Sequence, residues 1–232
     1  MYDHYSIQQA TALQVELSKQ LKFQPVEKIT TIGGADISFN KNSSTMYAGI
    51  VILSYPEMVL KSYALATYET NFPYEPGFLG FKEVSALLKV WDLIPDKPDV
   101  VVLDVNGILH PRRMGVASHF CILSNQPTIG CAKKILYGDN HLPANYKYAT
   151  AEITSSSDLL GFALRTKEKC KPVYVSAGHL TTQAQSLEIM KNCIGNYRIP
   201  EPTRIAHETV NAFRLGKLKI GYHEVNQPLT LF

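Results

Sequence analysis

Pro98-Asp99-Val100-Val101-Val102-Leu103-Asp104-Val105-Asn106-Gly107 holds an unbroken apolar run closed by an acid. A run without polar alternation predicts a strand covered on both faces, from Asp99 to Val105. Upstream, Thr30 to Phe39, Thr45 to Ser54 and Met58 to Tyr68 are rich in Ile, Val, Tyr and Thr. The polar link 40–44 and Tyr55-Pro56-Glu57 read as turns, so these segments predict three antiparallel strands. Ahead of them, Ile7, Ala10, Leu13, Leu17 and Leu21 recur at helical spacing and predict a helix over about 4 to 22. Downstream, Val84, Leu87, Leu88 and Trp91 mark a helix, and 112–124 reads as another. Pro127 to Cys131 and Pro172 to Ser176 read as short buried strands, and helices follow near 181–194 and 203–214. A meander followed by alternating helices and strands predicts an α/β fold, a mixed sheet with helices on both faces.

Composition sets the frame. The 232 residues suit one domain, and 45% hydrophobic residues suffice for a core without staples. The start, Met1 to Gln9, has neither a basic stretch nor an apolar core, so no secretory signal is expected. Apolar runs are too short to span a bilayer, and no membrane association is expected. Cys121, Cys131, Cys170 and Cys193 form no C-x-x-C pair, so a reducing compartment, the cytoplasm, is expected. A net charge of +3 permits a polyanion partner without demanding one. No interface signature stands out, and a monomer is expected. The apolar end at 228–232 could dock on the domain or on a partner.

Four residues could carry chemistry. Asp36 is a carboxylate inside an apolar strand, costly unless paired or metal-bound, although an edge Asp would also explain it. Asp104 ends the central run, where ligand sites of open α/β sheets gather, although a turn Asp before Asn106-Gly107 fits too. Glu83 lies early in a helix, where it also suits the helix dipole. His207 borders the buried face marked by Ala206, Val210 and Phe213, as a structural histidine would. Taken together they make a hard, oxygen-rich set suited to Mg²⁺, with Mn²⁺ as substitute, rather than zinc. Ions of this type support phosphodiester cleavage. Solvated surface charge is the usual explanation of basic runs, but three of them beside candidate metal ligands, His110-Pro111-Arg112-Arg113, Lys133-Lys134 and the cluster Arg165, Lys167, Lys169 and Lys171, lean toward phosphate contacts. Phe72-Pro73-Tyr74-Glu75-Pro76-Gly77-Phe78 reads as a stiff aromatic loop that could stack on bases, with core packing the default for Phe72 and Phe78.

These segments, in this order, resemble the endonuclease V family. Pro73-Tyr74-Glu75-Pro76-Gly77-Phe78-Leu79-Gly80-Phe81-Lys82-Glu83 is similar to the family's P-Y-x-P-[GS]-x-L-x-F-[RK]-E motif. Asp104 to Arg113, continuing to His119, is similar to its run from the strand aspartate through H-P-R to A-S-H. Pro127 to Lys133 matches P-T-I-G-V-A-K with one change, and Arg198 to His207 closes a collinear match over about residues 30 to 215. The resemblance implies one ribonuclease H-like domain and a Mg²⁺-dependent cut at the second phosphodiester 3′ to inosine, in DNA or RNA. It implies that Asp36, Asp104 and Glu83 bind or flank the metal, and that His207, Lys133 and His110 are the basic groups of the site. It also implies that Tyr74 is a strand-separating wedge, and that Gly77, Phe78, Leu79 and Gly80 line the base pocket. Arg112, beside His110, joins them as a substrate contact. Two departures bear on specificity. Val105 stands where the family has glycine, and Glu75 where it has an apolar residue. They leave two other readings open: a protein that binds inosine strands without cutting, or a nuclease of altered, structure-directed specificity.

Overall fold

The computed structural model of the chain describes residues 1–41 and 43–225, so the apolar end at 228–232 lies outside the described residues. In chain order the elements are α1 (Ile7–Ser18), β1 (Thr31–Phe39), β2 (Thr45–Ser54), β3 (Leu60–Glu69), α2 (Leu79–Leu93), β4 (Val100–Leu103), α3 (Val116–Ser124), β5 (Thr128–Ala132), β6 (Asp139–Asn140), β7 (Thr150–Ser155), β8 (Asp158–Leu164), β9 (Val173–His179), α4 (Gln183–Asn192), α5 (Glu201–Arg214) and β10 (Gly221–Glu224). The strands form one sheet in the order β10-β3-β2-β1-β4-β5-β9-β8-β7-β6. β1, β2 and β3 make the expected antiparallel meander. In the centre β1, β4 and β5 run parallel, so their carboxyl ends open on one edge. The Asp104 amide donates to the Ala35 carbonyl at 3.4 Å, extending that pairing by one residue.

β4 explains its own sequence. Val100 and Val102 join the core on one face, with Met190 of α4 and Val210 of α5. Val101 and Leu103 join the core on the other, with Val84 and Leu87 of α2 and Phe120 of α3. Both faces are covered, so no position calls for a polar residue. Each such side chain contributes about 1.5–3 kcal/mol by leaving water. This mixed sheet, with helices on both faces, is a ribonuclease H-like fold.

α5 lies close on β1 because Gly34 permits it. A Cβ there would stand 1.9 Å from the Pro202 carbonyl oxygen. Gly34 thus lets the helix that carries His207 approach the strand that carries Asp36.

Several boundaries differ from the sequence expectation. α1 starts at Ile7 because Ser6 and Gln9 form a reciprocal capping box. It ends at Ser18, and the chain beyond turns to let the Lys22 amide donate to His179 Nδ1 at 2.8 Å. α3 starts at Val116 rather than 112, because Arg113 takes a left-handed backbone (φ 58°) that no helix continues. β6, β7, β8 and β10 were not read from the sequence. The β7–β8 hairpin turns at Ser156-Ser157, without the Asn-Gly or Asp-Gly signal that marks such turns. No helix among the described residues is long and apolar enough to cross a membrane.

Candidate active site

Asp36 and Asp104 stand side by side at the carboxyl edge of β1 and β4, and α2 carries Glu83 over them. All three line one cleft of about 190 Å³, with Ile37, Leu79 and Leu87 as its apolar walls. Glu83 lies past the first turn of α2 and is only 9% exposed, so the helix dipole does not account for it. Burial, then the charge of Asp36 and, less, of Asp104, pushes its carboxyl up to about 8. Burial likewise pushes Asp104 up to about 6, against the pull of Lys133.

Each aspartate is engaged by a basic side chain. The Lys133 ammonium donates to Asp104, and His207 Nδ1 lies 2.8 Å from Asp36 Oδ2. Half of the His207 side chain is exposed, so it is not the buried structural histidine that its helix face allowed. Its other nitrogen, Nε2, meets the Asn211 side-chain nitrogen at 3.0 Å. The Asn211 oxygen accepts from Ser38 at 3.2 Å and from Arg214 at 3.3 Å, which turns the amide nitrogen toward the ring. Asn211 therefore donates to Nε2, and Nδ1–H donates to Asp36. Hydrogen bonding to Asp36 raises the His207 pKa.

Among the described residues, no three His, Cys, Asp or Glu side chains already stand in metal-holding geometry. The donor set nevertheless fits a hard divalent ion. It is all oxygen and confined to one cleft, and burial holds the Glu83 and Asp104 carboxyls above their usual range.

A second cavity of about 410 Å³ opens beside the cleft. Tyr74, Gly77, Gly80, His110, Lys133 and Leu136 are among its lining residues. Leu79, Asp104, Val105 and Val116 line both cavities, so the two are contiguous. The loop ahead of α2 is fixed through one peptide. Gly77 takes φ +81°, and its carbonyl accepts from Gln14 Nε2 at 2.9 Å, His110 Nε2 at 2.9 Å and Arg112 Nη2 at 3.3 Å. His110 Nδ1 accepts from the Arg112 amide at 3.1 Å, leaving the proton on Nε2. Burial drives His110 down to about 4, so the ring is neutral.

Tyr74 is 69% exposed at the mouth of this cavity, and Glu75 lies beside it. Val105 has no left-handed backbone, so a branched residue stands where glycine was expected without strain. Phe78 does not line the cavity. It is buried with Phe72 and Phe81, and the Arg112 guanidinium stacks 4.6 Å above its ring. Arg112 is likewise turned to Gly77 and Gln14 rather than into the cavity, so its place is behind the loop. Arg165 is occupied by the backbone carbonyls of Pro143, Ala144 and Cys170 and is not a free phosphate contact.

Three residues of this architecture were not singled out from the sequence. Gln14 is fully buried and also accepts from Arg112. Its signal was a polar residue in line with Ala10 and Leu17 on the buried face of α1. Asn211 stands one turn beyond His207. Arg198 braces the end of β5, donating to the carbonyls of Lys133 at 3.3 Å and Pro172 at 2.9 Å.

The sequence profile described as Endonuclease V matches residues 11–208. The chain belongs to the endonuclease V family. A family member from Thermosipho melanesiensis is 44% identical over 202 residues, covering 87% of this chain and 88% of that protein. The crystal structure of the endonuclease V from Streptomyces avermitilis superposes with a TM-score of 0.86 at 31% identity, over 93% of this chain and 96% of that one. The endonuclease V of Ciona intestinalis, solved with a DNA containing an inosine followed by a ribo-adenosine, superposes at 0.79 with 28% identity, over 92% and 98%.

Proposed function

We propose that the chain is a Mg²⁺-dependent endonuclease that cuts a nucleic-acid strand 3′ to inosine, at the second phosphodiester. The observation that carries this reading is the contiguity of the two cavities through Asp104. A flipped base in the larger cavity leaves the adjoining backbone within reach of the carboxylates, and the family resemblance makes that the 3′ side. At about 410 Å³ the cavity is within the range of small-molecule sites, as an extruded base requires. The DNA complex of the Ciona relative supports inosine as the base.

Asp36, Asp104 and Glu83 would hold the ion, whose charge activates water and offsets the charge gathering on the leaving oxygen. Lys133 places a further positive charge on the substrate side of Asp104. His207 is held at Nδ1 by Asp36 and at Nε2 by Asn211 and stands half open to solvent, so it takes a proton from the attacking water on Nε2 only in exchange for the Asn211 bond. The loop held from behind at the Gly77 carbonyl lines the pocket, where the remaining backbone groups of 74–80 could read the base edge. Tyr74 at the mouth suits a wedge that fills the gap left by the displaced base.

The test is cleavage of end-labelled DNA and RNA strands, each with and without one inosine, in Mg²⁺ and in Mn²⁺. One product, at the second bond 3′ to inosine, is expected, and the preferred sugar separates DNA repair from RNA processing. Tight inosine binding with no product in either metal would instead support a non-cleaving binder. Equal cutting of inosine-free flaps would support an altered specificity, set by Val105 and Glu75 at the pocket.

A further inference from the structure

A separate surface lies at the same end of the sheet. Leu164 at the end of β8 pairs with Val173 at the start of β9 and with Thr150 at the start of β7, while Ala132 at the end of β5 pairs with Tyr174. The loops 141–149 and 165–172 therefore open on the edge that carries Asp104 and Lys133. β8 lies two strands beyond β5, roughly 10 Å at the usual strand spacing.

Arg165 staples these loops together. It donates to Pro143 O at 2.8 Å, to Ala144 O at 3.2 Å and to Cys170 O, and the Lys169 amide donates to Asn145 Oδ1 at 2.9 Å. The stapled surface is open: Tyr146 is 60% exposed and Leu142 73%. Tyr148 is exposed too, with Lys147 over one face of its ring. Lys147, Lys167, Lys169 and Lys171 are all exposed, and Glu168 is the only carboxylate within the two loops. Arg198 continues this surface into the site, because it donates to Lys171 O as well as to Lys133 O.

A surface that carries both exposed ammonium groups and an exposed tyrosine ring matches one chemistry on both counts. It suits a polyanion whose bases are flat and can stack. Direction follows from the two cavities. The larger one lies on the β5 side, with Ala132, Lys133 and Leu136, and the carboxylate cleft lies on the β1 side, with Asp36 and Ile37. A strand with its base in the first and its 3′ backbone at the second leaves, on its 5′ side, across β5 toward β9 and β8.

We propose that loops 141–149 and 165–172 bind the nucleic-acid strand 5′ of the inosine, with a base stacked on Tyr146 and phosphates at Lys147 and Lys169. The polarity rests on the function proposed above, and the stacking surface itself does not. The test is equilibrium binding of labelled strands by fluorescence anisotropy without divalent ion, so that none is cut. With a long 5′ arm, Tyr146→Ala is expected to weaken binding by about fivefold or more, the size of one stacked base. Tyr146→Trp restores it, and Lys169→Ala lowers the salt dependence. On strands that end at the inosine's 5′ side, both variants bind as the unaltered protein does. Equal losses on those short strands, losses removed only by trimming the 3′ arm, or no loss on any strand would overturn the proposal. An unaltered protein that binds short inosine and adenosine strands alike would refute the base-pocket reading instead, while Tyr146→Ala on long strands still reports the stacking surface.

Discussion

Asp36 and Asp104 sit on adjacent parallel strands in the middle of a ten-stranded sheet, whereas the larger cavity beside them is walled largely by loops. The cleft inherits its geometry from backbone ladders and from a core packed on both faces. The pocket depends on a few side chains converging on one carbonyl, that of Gly77. Under the proposed function, the chemistry falls on the strand-held part and base selection on the part walled by loops. The departures Val105 and Glu75 both line the pocket, while every expected carboxylate of the cleft is present.

The comparison can be broken most severely at the cleft. Asp36→Asn or Asp104→Asn is expected to lower cleavage on the order of 10²–10³-fold or more, measured in single-turnover assays. Full activity in either variant removes the cleft from the chemistry.

Acid should act next, through two buried histidines, His110 beside the pocket and His119 packed in α3 against Tyr2 and Phe81. Burial holds His110 and His119 down to about 4, so the fold favours their neutral rings. Unfolded histidine titrates near 6.5, so this stability is complete above that pH and is lost as pH falls toward 4. Each ring is worth up to about 3 kcal/mol over that window. Thermal melts that stay level between about pH 7 and 4.5 would contradict it.

A smaller loss is expected from the groups that orient rather than bind. Asn211→Leu frees the His207 ring and should lower kcat about tenfold with KM unchanged, as partners of site residues commonly do. An unchanged kcat would show that Asp36 alone aligns the ring. The smallest effect falls on the loop. Gln14→Met removes one of three donors to Gly77 and should raise KM for inosine strands severalfold with kcat kept. A fall in kcat with constant KM would mean that α1 supports the cleft and not the pocket.

Much of this fold was legible because burial writes itself into composition. The run Val100–Leu103 could be apolar throughout only under two covered faces, and the meander announced itself through β-branched residues between turns. The β7–β8 hairpin was hidden because its turn uses serines and Thr150–Ser155 is half exposed. Asp36 and Asp104 stood out as acids in apolar strands, and their nearness followed from parallel pairing that no local pattern states. Phe78 and Arg112 were placed at the substrate by their motif neighbours. The structure instead stacks one on the other behind the loop, because an aromatic ring and a guanidinium can satisfy each other there. Gln14 escaped notice because its partners lie 63 and 98 residues away.

The most direct test of a cleft that cuts and a pocket that chooses is the binding preference of the Asp36→Asn, Asp104→Asn double variant, measured with matched inosine and adenosine strands. The account predicts that cleavage falls to background while the preference for inosine persists. A preference that vanishes together with cleavage would contradict it, and would place base selection at the carboxylates themselves.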